Sequence, residues 1–314
     1  MGGVFVACFS GDPSWEWNHL DHSSAAKLLA RQLPDGDASS IEPFGSGDFC
    51  LAFKLHDQVF RIARHVEAAE ALRRESCILS KIASLLSLPV PQLAYHAPHG
   101  CPPFTVHKEI TGEFMTRETW EGMPAYARER AASDLATFLR SLHALPIKIG
   151  LDCGLVQIEA AEIARRLRDE TANTIQRFLE QETQRKLDQT LKRWTFQRAA
   201  QGPALLHCDI GPGHVLYNPS TLHLTGVIDF ADLVIGDPAR DFIYIYEDFG
   251  PGLLQEVLTR YAGKDASKMM PAIRKWYLLE AISWTVGMYV EQHEANLGHG
   301  LAEIKRELAN VAVR

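Results

Sequence analysis

The chain lacks most of the features that would place it outside ordinary globular enzymes. Its six cysteines, Cys8, Cys50, Cys77, Cys101, Cys153 and Cys208, include no Cys-x-x-Cys pair, which removes the usual signature of a zinc site or a dithiol redox couple. Scattered in this way, they are expected to be reduced thiols that serve mainly in packing. No run approaches the roughly 18 apolar residues of a membrane span. The apolar stretch near the start, Val4 to Phe9, is shorter than the core of a signal peptide and has no basic residue before it, so a cytoplasmic protein is expected. Internal repeats, low-complexity linkers and compositional signs of disorder are all missing. The formal net charge of −7 argues against a nucleic-acid partner and is compatible with a cationic one.

What is present suffices for a sizeable core. A chain of 314 residues, 46% hydrophobic and 23% charged, would normally fold as two lobes or domains. Ser23 to Leu33 reads as a short helix stopped by Pro34. Phe49 to Leu55 and Val59 to Arg64 are strand-like runs joined by the polar turn His56-Asp57-Gln58, the pattern of an antiparallel hairpin. From Ala68 to Leu86 the period changes: Leu72, Leu79, Ile82 and Leu86 share one helical face, ended by Pro89 and Pro91. Phe104 to Ile110 is a further strand, and the chain can bend at Thr111-Gly112-Glu113. Ala125 to Leu145 carries an apolar stripe of Leu135, Phe138, Leu139 and Leu142. Ile158 to Phe196 is helical with at least one break, and the chain from Asp241 onward is helical again.

The most informative block is 205–230. Apolar runs flank a Gly/Pro-rich loop that carries Asp209, and a third run, Leu224 to Ile228, delivers Asp229. Two carboxylates on strand ends or loops that can converge are what phosphoryl transfer needs, one to orient a hydroxyl and one to hold magnesium on the phosphates. The segment His207-Cys208-Asp209 with His214 five residues on, then Gly226-Val227-Ile228-Asp229, then Gly236-Asp237-Pro238-Ala239-Arg240-Asp241, resembles the aminoglycoside phosphotransferase family of antibiotic kinases. The pattern is most similar to its aminoglycoside 2″-phosphotransferases and to macrolide phosphotransferases, in which a histidine also stands where the family more often has asparagine. The resemblance spans roughly residues 41–249.

That resemblance implies an α+β, protein-kinase-like two-lobed fold, with an antiparallel sheet plus helix in the first lobe and a mainly helical second lobe. Residues 1–108 would form the nucleotide-binding lobe and 109–314 the catalytic and substrate-binding lobe. It implies ATP or GTP and Mg2+ as cofactors, and a small-molecule hydroxyl as partner, with no nucleic acid, membrane or protein partner inferred. Asp209 takes the catalytic position; His214 and Asp229 take the metal positions. Gly45, Ser46 and Gly47 would cover the phosphates, although such a sequence also serves as a plain turn. Arg61 stands where the family places a lysine paired with a helix glutamate, here Glu75; a surface salt bridge is the bland reading. Lys108, Glu109 and Ile110 fall in the connector whose backbone would meet the adenine. His207, Asp237 and Asp241 would brace the catalytic loop. Glu247 and Asp248 are either substrate contacts or a solvated helix end, and Glu291 and Glu294 offer further carboxylates without a convincing aromatic partner. A macrolide, or a small alcohol such as homoserine or choline, is the alternative acceptor. A zinc hydrolase built on His207, Asp209, His214 and Asp229, or a nucleotide-binding pseudokinase, is the reading from another class.

Overall fold

The computed structural model describes residues 21–33, 38–47, 49–97, 102–196 and 202–310. Val4 to Phe9, Pro34, Cys8 and Cys101 lie outside the described residues, as does the side chain of Glu294. The chain opens with α1 (His22–Ala30), capped by the Asp21 carboxylate, which accepts the Ser24 N–H. A five-stranded antiparallel sheet follows, from β1 (Glu42–Ser46), β2 (Cys50–Leu55) and β3 (Gln58–Ala63). Helix α2 (Val66–Ile82) then interrupts it, before β4 (Ala94–His96) and β5 (Phe104–Lys108) complete the order β1-β2-β3-β5-β4.

The hairpin register is regular from Cys50 opposite Ala63 to Leu55 opposite Gln58, as the two runs and their short polar turn anticipate. One face of this sheet packs Leu51, Phe53, Phe60 and Ile62 against Ala25 and Leu29 of α1. Leu72, Leu79 and Ile82 are fully buried along α2, as their spacing predicts. Leu86 falls beyond a closing 3-10 turn, Ala83–Leu85, and is only partly buried.

The rest of the chain is mainly helical. A short strand β6 (Glu113–Phe114) leads to α3 (Arg117–Gly122), α4 (Ala125–His143) and α5 (Ile147–Asp152). The long charged stretch resolves into α6 (Ala160–Asn173) and α7 (Gln181–Trp194). Three short strands, β7 (Ala204–Leu206), β8 (Val215–Tyr217) and β9 (Leu224–Val227), carry the 205–230 block, and β10 (Val234–Gly236) pairs back on β7. A π-helical turn, Ile245–Phe249, precedes α8 (Gly250–Ala262), α9 (Ala266–Val290) and α10 (Glu294–Asn310). No helix among the described residues is long and apolar enough to cross a membrane.

One close approach fixes where β9 delivers Asp229. A Cβ on Gly226 would lie 2.7 Å from the Pro89 carbonyl and from the Ile110 side chain, and the Val227 N–H donates to that same carbonyl at 3.0 Å. Only glycine admits this contact between the strand and the segment after α2.

The cysteine expectation is corrected. Cys77, on α2, and Cys153, just after α5, form a disulfide across 76 residues, while Cys50 and Cys208 are free and buried. Tertiary packing brings the two Cα atoms to 5.7 Å, within bridging range, a proximity that spacing along the chain cannot reveal. Closing a loop of this length removes enough unfolded-state entropy to contribute about 4 kcal/mol. Denatured, unreduced protein should therefore titrate two thiols fewer than reduced protein. Reduction should lower the urea midpoint, and an unchanged midpoint would contradict the contribution assigned to the bridge.

Candidate active site

Arg61, in the middle of β3, turns its guanidinium toward α2 and donates from Nη1 to both Glu75 oxygens at 2.8 Å. Its Nη2 donates to Asp229 Oδ1, also at 2.8 Å. Glu75 is 1% exposed and accepts a third hydrogen bond from the Phe230 N–H at 3.1 Å. Burial pushes the Glu75 carboxyl upward and Arg61 opposes this; Arg61 itself stays protonated between its two carboxylates. The surface-salt-bridge reading of this pair is thereby ruled out. A planar fork of donors can join two carboxylates in a way a lysine ammonium cannot.

Asp229 follows β9 with φ +64°, and Cys208, beside Asp209, has φ +68°. Left-handed backbone at non-glycine residues costs energy and is held by its surroundings. At Asp229 the neighbours are Arg61 and the bond from Ile228 N–H to the His214 carbonyl. At Cys208 the clamp is Asp241. Its Oδ1 accepts the Cys208 N–H at 2.7 Å, its Oδ2 accepts the His207 N–H at 3.0 Å, and His143 Nε2 lies 2.9 Å from the same Oδ2. Asp237 accepts the Ala239 N–H and, with Pro238, starts the 3-10 turn that carries Asp241. Asp241 thus grips the two residues before Asp209, and Asp237 starts the turn that carries it.

Between the loops lies His214. Its Nδ1 is 3.2 Å from Asp209 Oδ2 and its Nε2 3.7 Å from Asp229 Oδ2. Burial opposes a charge on this ring, but Asp209 and Asp229 outweigh it and raise the imidazole to about 9. Asp229, for which burial acts in the opposite sense, is held below the ordinary carboxylate range by Arg61 and His214. His207, fully buried, accepts the Asp209 N–H on Nδ1 and bonds the Ile228 carbonyl through Nε2. Both its ring nitrogens are engaged, so His207 braces the loop and is not a zinc ligand. The hydrolase arrangement of His207, Asp209, His214 and Asp229 falls with that. No group of three or more His, Cys, Asp or Glu among the described residues is placed to hold a metal. The Asp229 carboxylate nevertheless offers the oxygen ligands a divalent cation takes, and His214 could join it only by giving up its proton.

The remaining candidates are distributed around this centre. Gly45 and Ser46 lie within β1, opposite Ala52 and Leu51, and the Gly47 N–H donates to the Cys50 carbonyl; the glycine segment is the tip of a hairpin, not a loop preceding one. In the connector, Lys108 is solvent-exposed near Asp57, Glu109 pairs with Lys54 at 2.7 Å, and the Glu109 N–H is already donated to the Asp57 carbonyl. Ile110 packs on Gly226. Glu247 and Asp248 lie in the π-helical turn. Asp248 Oδ2 faces the Gly211 backbone of the loop after Asp209; burial and then the Asp209 charge raise its carboxyl. Glu247 accepts from Tyr277 O–H at 3.2 Å and is raised by burial and by Asp248. Glu291 is paired with His293.

Sequence reasoning missed two residues here. His143, at the end of α4, also meets Tyr261 O–H at 2.8 Å through Nδ1; its position one residue after the buried Leu142 was the available signal. Tyr277, on α9, stacks edge-on with Tyr246 beside Glu247 and is the aromatic companion to the acidic turn.

A family model described as the phosphotransferase enzyme family matches residues 41–276. The chain belongs to this family. The aminoglycoside 3'-phosphotransferase of Streptomyces fradiae is 27% identical over 192 residues, covering 58% of this chain and 69% of that one. Among solved structures, the GDP complex of wild-type aminoglycoside 2'-phosphotransferase-IIIa matches with a TM-score of 0.81 at 23% identity, over 90% of this chain and 97% of the other. Macrolide 2'-phosphotransferase MphH from Brachybacterium faecium, as apoenzyme, matches at 0.61 with 16% identity, over 88% and 94%. The phosphotransferase fold, kinase-like and two-lobed, is shared with both.

In this phosphotransferase the Asp241 clamp makes a pH-dependent contribution. Burial would raise its carboxyl, but the His143 and Cys208 hydrogen bonds reverse the shift and hold it below 3.8. The stability it supplies is therefore present above that value and lost as pH falls through the lower folded one. Asp241→Asn should cost about 3 kcal/mol and flatten the loss of stability below about pH 4, as read from urea unfolding across that range. An unflattened profile would show that other carboxylates control acid unfolding.

Proposed function

We propose that the chain transfers the γ-phosphoryl group of ATP or GTP to a hydroxyl of an aminoglycoside-type acceptor. The observation that carries this reading is the convergence of Asp209 and Asp229 on His214, with Arg61 holding Asp229 from the sheet. Asp209 orients the acceptor hydroxyl and takes its proton as the oxygen attacks the γ-phosphorus and the bond to the bridging oxygen breaks. Asp229, with His214 in its neutral form, would hold a magnesium ion, whose chemistry is to neutralise phosphate charge. Arg61 keeps Asp229 in register, and the hairpin tip Gly45 to Gly47 lies over the phosphates. Residues 1–108 take the nucleotide and 109–314 the acceptor. Catalysis then rests on positioning and charge complementarity more than on covalent chemistry.

Asp248 and Glu247, both raised by burial and by neighbouring carboxylates, make a cationic acceptor favourable at that edge of the site. Relatives named as kanamycin and gentamicin complexes of 2″-phosphotransferases agree with this choice. A macrolide, or homoserine or choline, ranks below it because an acidic rim gains most from several ammonium groups. Cytoplasmic location is part of the same reading, and the Cys77–Cys153 bond, of a kind rare in reducing compartments, counts against it.

Asp209→Ala should keep nucleotide affinity within a few-fold by calorimetry while lowering kcat about 10³-fold; retained turnover would refute the assignment. Nucleotide turnover with magnesium should accelerate with kanamycin more than with a macrolide, homoserine or choline. Asp248→Asn should then raise the kanamycin KM with little change in kcat. If no acceptor stimulates turnover, the antibiotic-acceptor reading is dropped, and slow ATP hydrolysis with magnesium would argue against a nucleotide-binding pseudokinase.

A further inference from the structure

Among the described residues, buried charges are matched by partners with one exception. Glu75 and Asp241 each accept three hydrogen bonds, and Glu307 accepts from Tyr246 and Arg306, as an interior poor in water requires. Lys275 of α9 is only 8% exposed, and no hydrogen bond or ion pair engages its ammonium among the described residues. Asp237 is the one opposite charge acting on it, and burial outweighs that influence. Lysine is seldom buried without a partner.

This side chain lines a cavity of ≈ 440 Å³, whose other walls include Gln157, Ile158, Pro203, Asp237 and Trp276. The volume lies within the range of small-molecule sites. Arg165 and Glu159 also line it, one charge of each sign, which leaves the unpartnered Lys275 ammonium to call for an anion. Ile158, Pro203 and the indole supply apolar surface for a compact body, and the nearby Asp237 carboxylate penalises a second negative charge. None of Arg61, Glu75, Asp209, His214 or Asp229 lines the cavity, so it is separate from the phosphoryl-transfer centre.

We propose that this cavity binds a small monoanionic organic carboxylate, its carboxylate on Lys275 and its apolar body against Ile158, Pro203 and Trp276. The test titrates benzoate into the full-length chain, read by tryptophan fluorescence and by Tm, beside its neutral isostere benzamide and inorganic phosphate. A saturable response to benzoate is expected, with benzamide and phosphate at least tenfold weaker. Lys275→Met keeps the stem and removes the charge, and should weaken benzoate at least tenfold. Trp276→Phe should remove the fluorescence response while the Tm response stays. No saturable response to benzoate, equal binding of benzamide or phosphate, or undiminished benzoate binding by Lys275→Met would each overturn the proposal. The benzoate and benzamide comparison on the unaltered chain decides the matter alone if Lys275→Met does not fold. All readouts are independent of phosphoryl transfer, so failure here leaves the catalytic reading untouched.

Discussion

The guanidinium of Arg61 is the junction on which the candidate site depends. It joins a glutamate on α2 to an aspartate beyond β9, residues 14 and 168 positions away in the chain. A buried ion pair adds little net stability compared with well-packed apolar residues, but losing one partner leaves an unmatched charge that the interior tolerates poorly. The arrangement therefore acts as a specification: sheet, α2 and the 205–230 block must sit in one relative position for all three side chains to be satisfied. The Phe230 N–H on Glu75 extends the same constraint into the backbone next to Asp229, where the left-handed conformation needs support.

A second anchoring system holds the other carboxylate. Asp241 grips two successive N–H groups before Asp209, and His143 and Tyr261 back it from α4 and α8. The two systems meet at His214, which lies between a carboxylate from each, and at the bond from His207 to the Ile228 carbonyl. Each carboxylate is thus held by its own framework, and charge is concentrated at the seam between them.

Much of this was legible in the chain. Alternating and helical periods located the β2–β3 hairpin, α2 and α4 because those patterns are local, and Asp209 and Asp229 stood out because short apolar runs aim them at one edge. Asp237 before Pro238 is a local turn signal, while a bracing place for Asp237 and Asp241 came only from the resemblance to the family. What escaped was long-range. His143 pairs with a residue 98 positions on and the disulfide spans 76, and no local period encodes such encounters. Glycines 45 and 47 misled in a smaller way: their composition suggested a loop, while pairing with β2 makes most of the segment a strand. Arg61 departs from the family's lysine, and its fork joins Glu75 to Asp229, the second across 168 positions, an encounter that no local pattern encodes.

Helix α2 is fastened on two sides. Glu75 ties one face to β3 and to the backbone after β9, and Cys77, two residues along, is covalently joined to the turn after α5. Kinases that are switched on and off commonly do so by moving the equivalent helix away from its sheet. A helix riveted to the far half of the molecule has no outward position to visit while the sulfur bridge is intact. As long as the bridge is intact, α2 is thus kept in one position relative to both the sheet and the turn after α5.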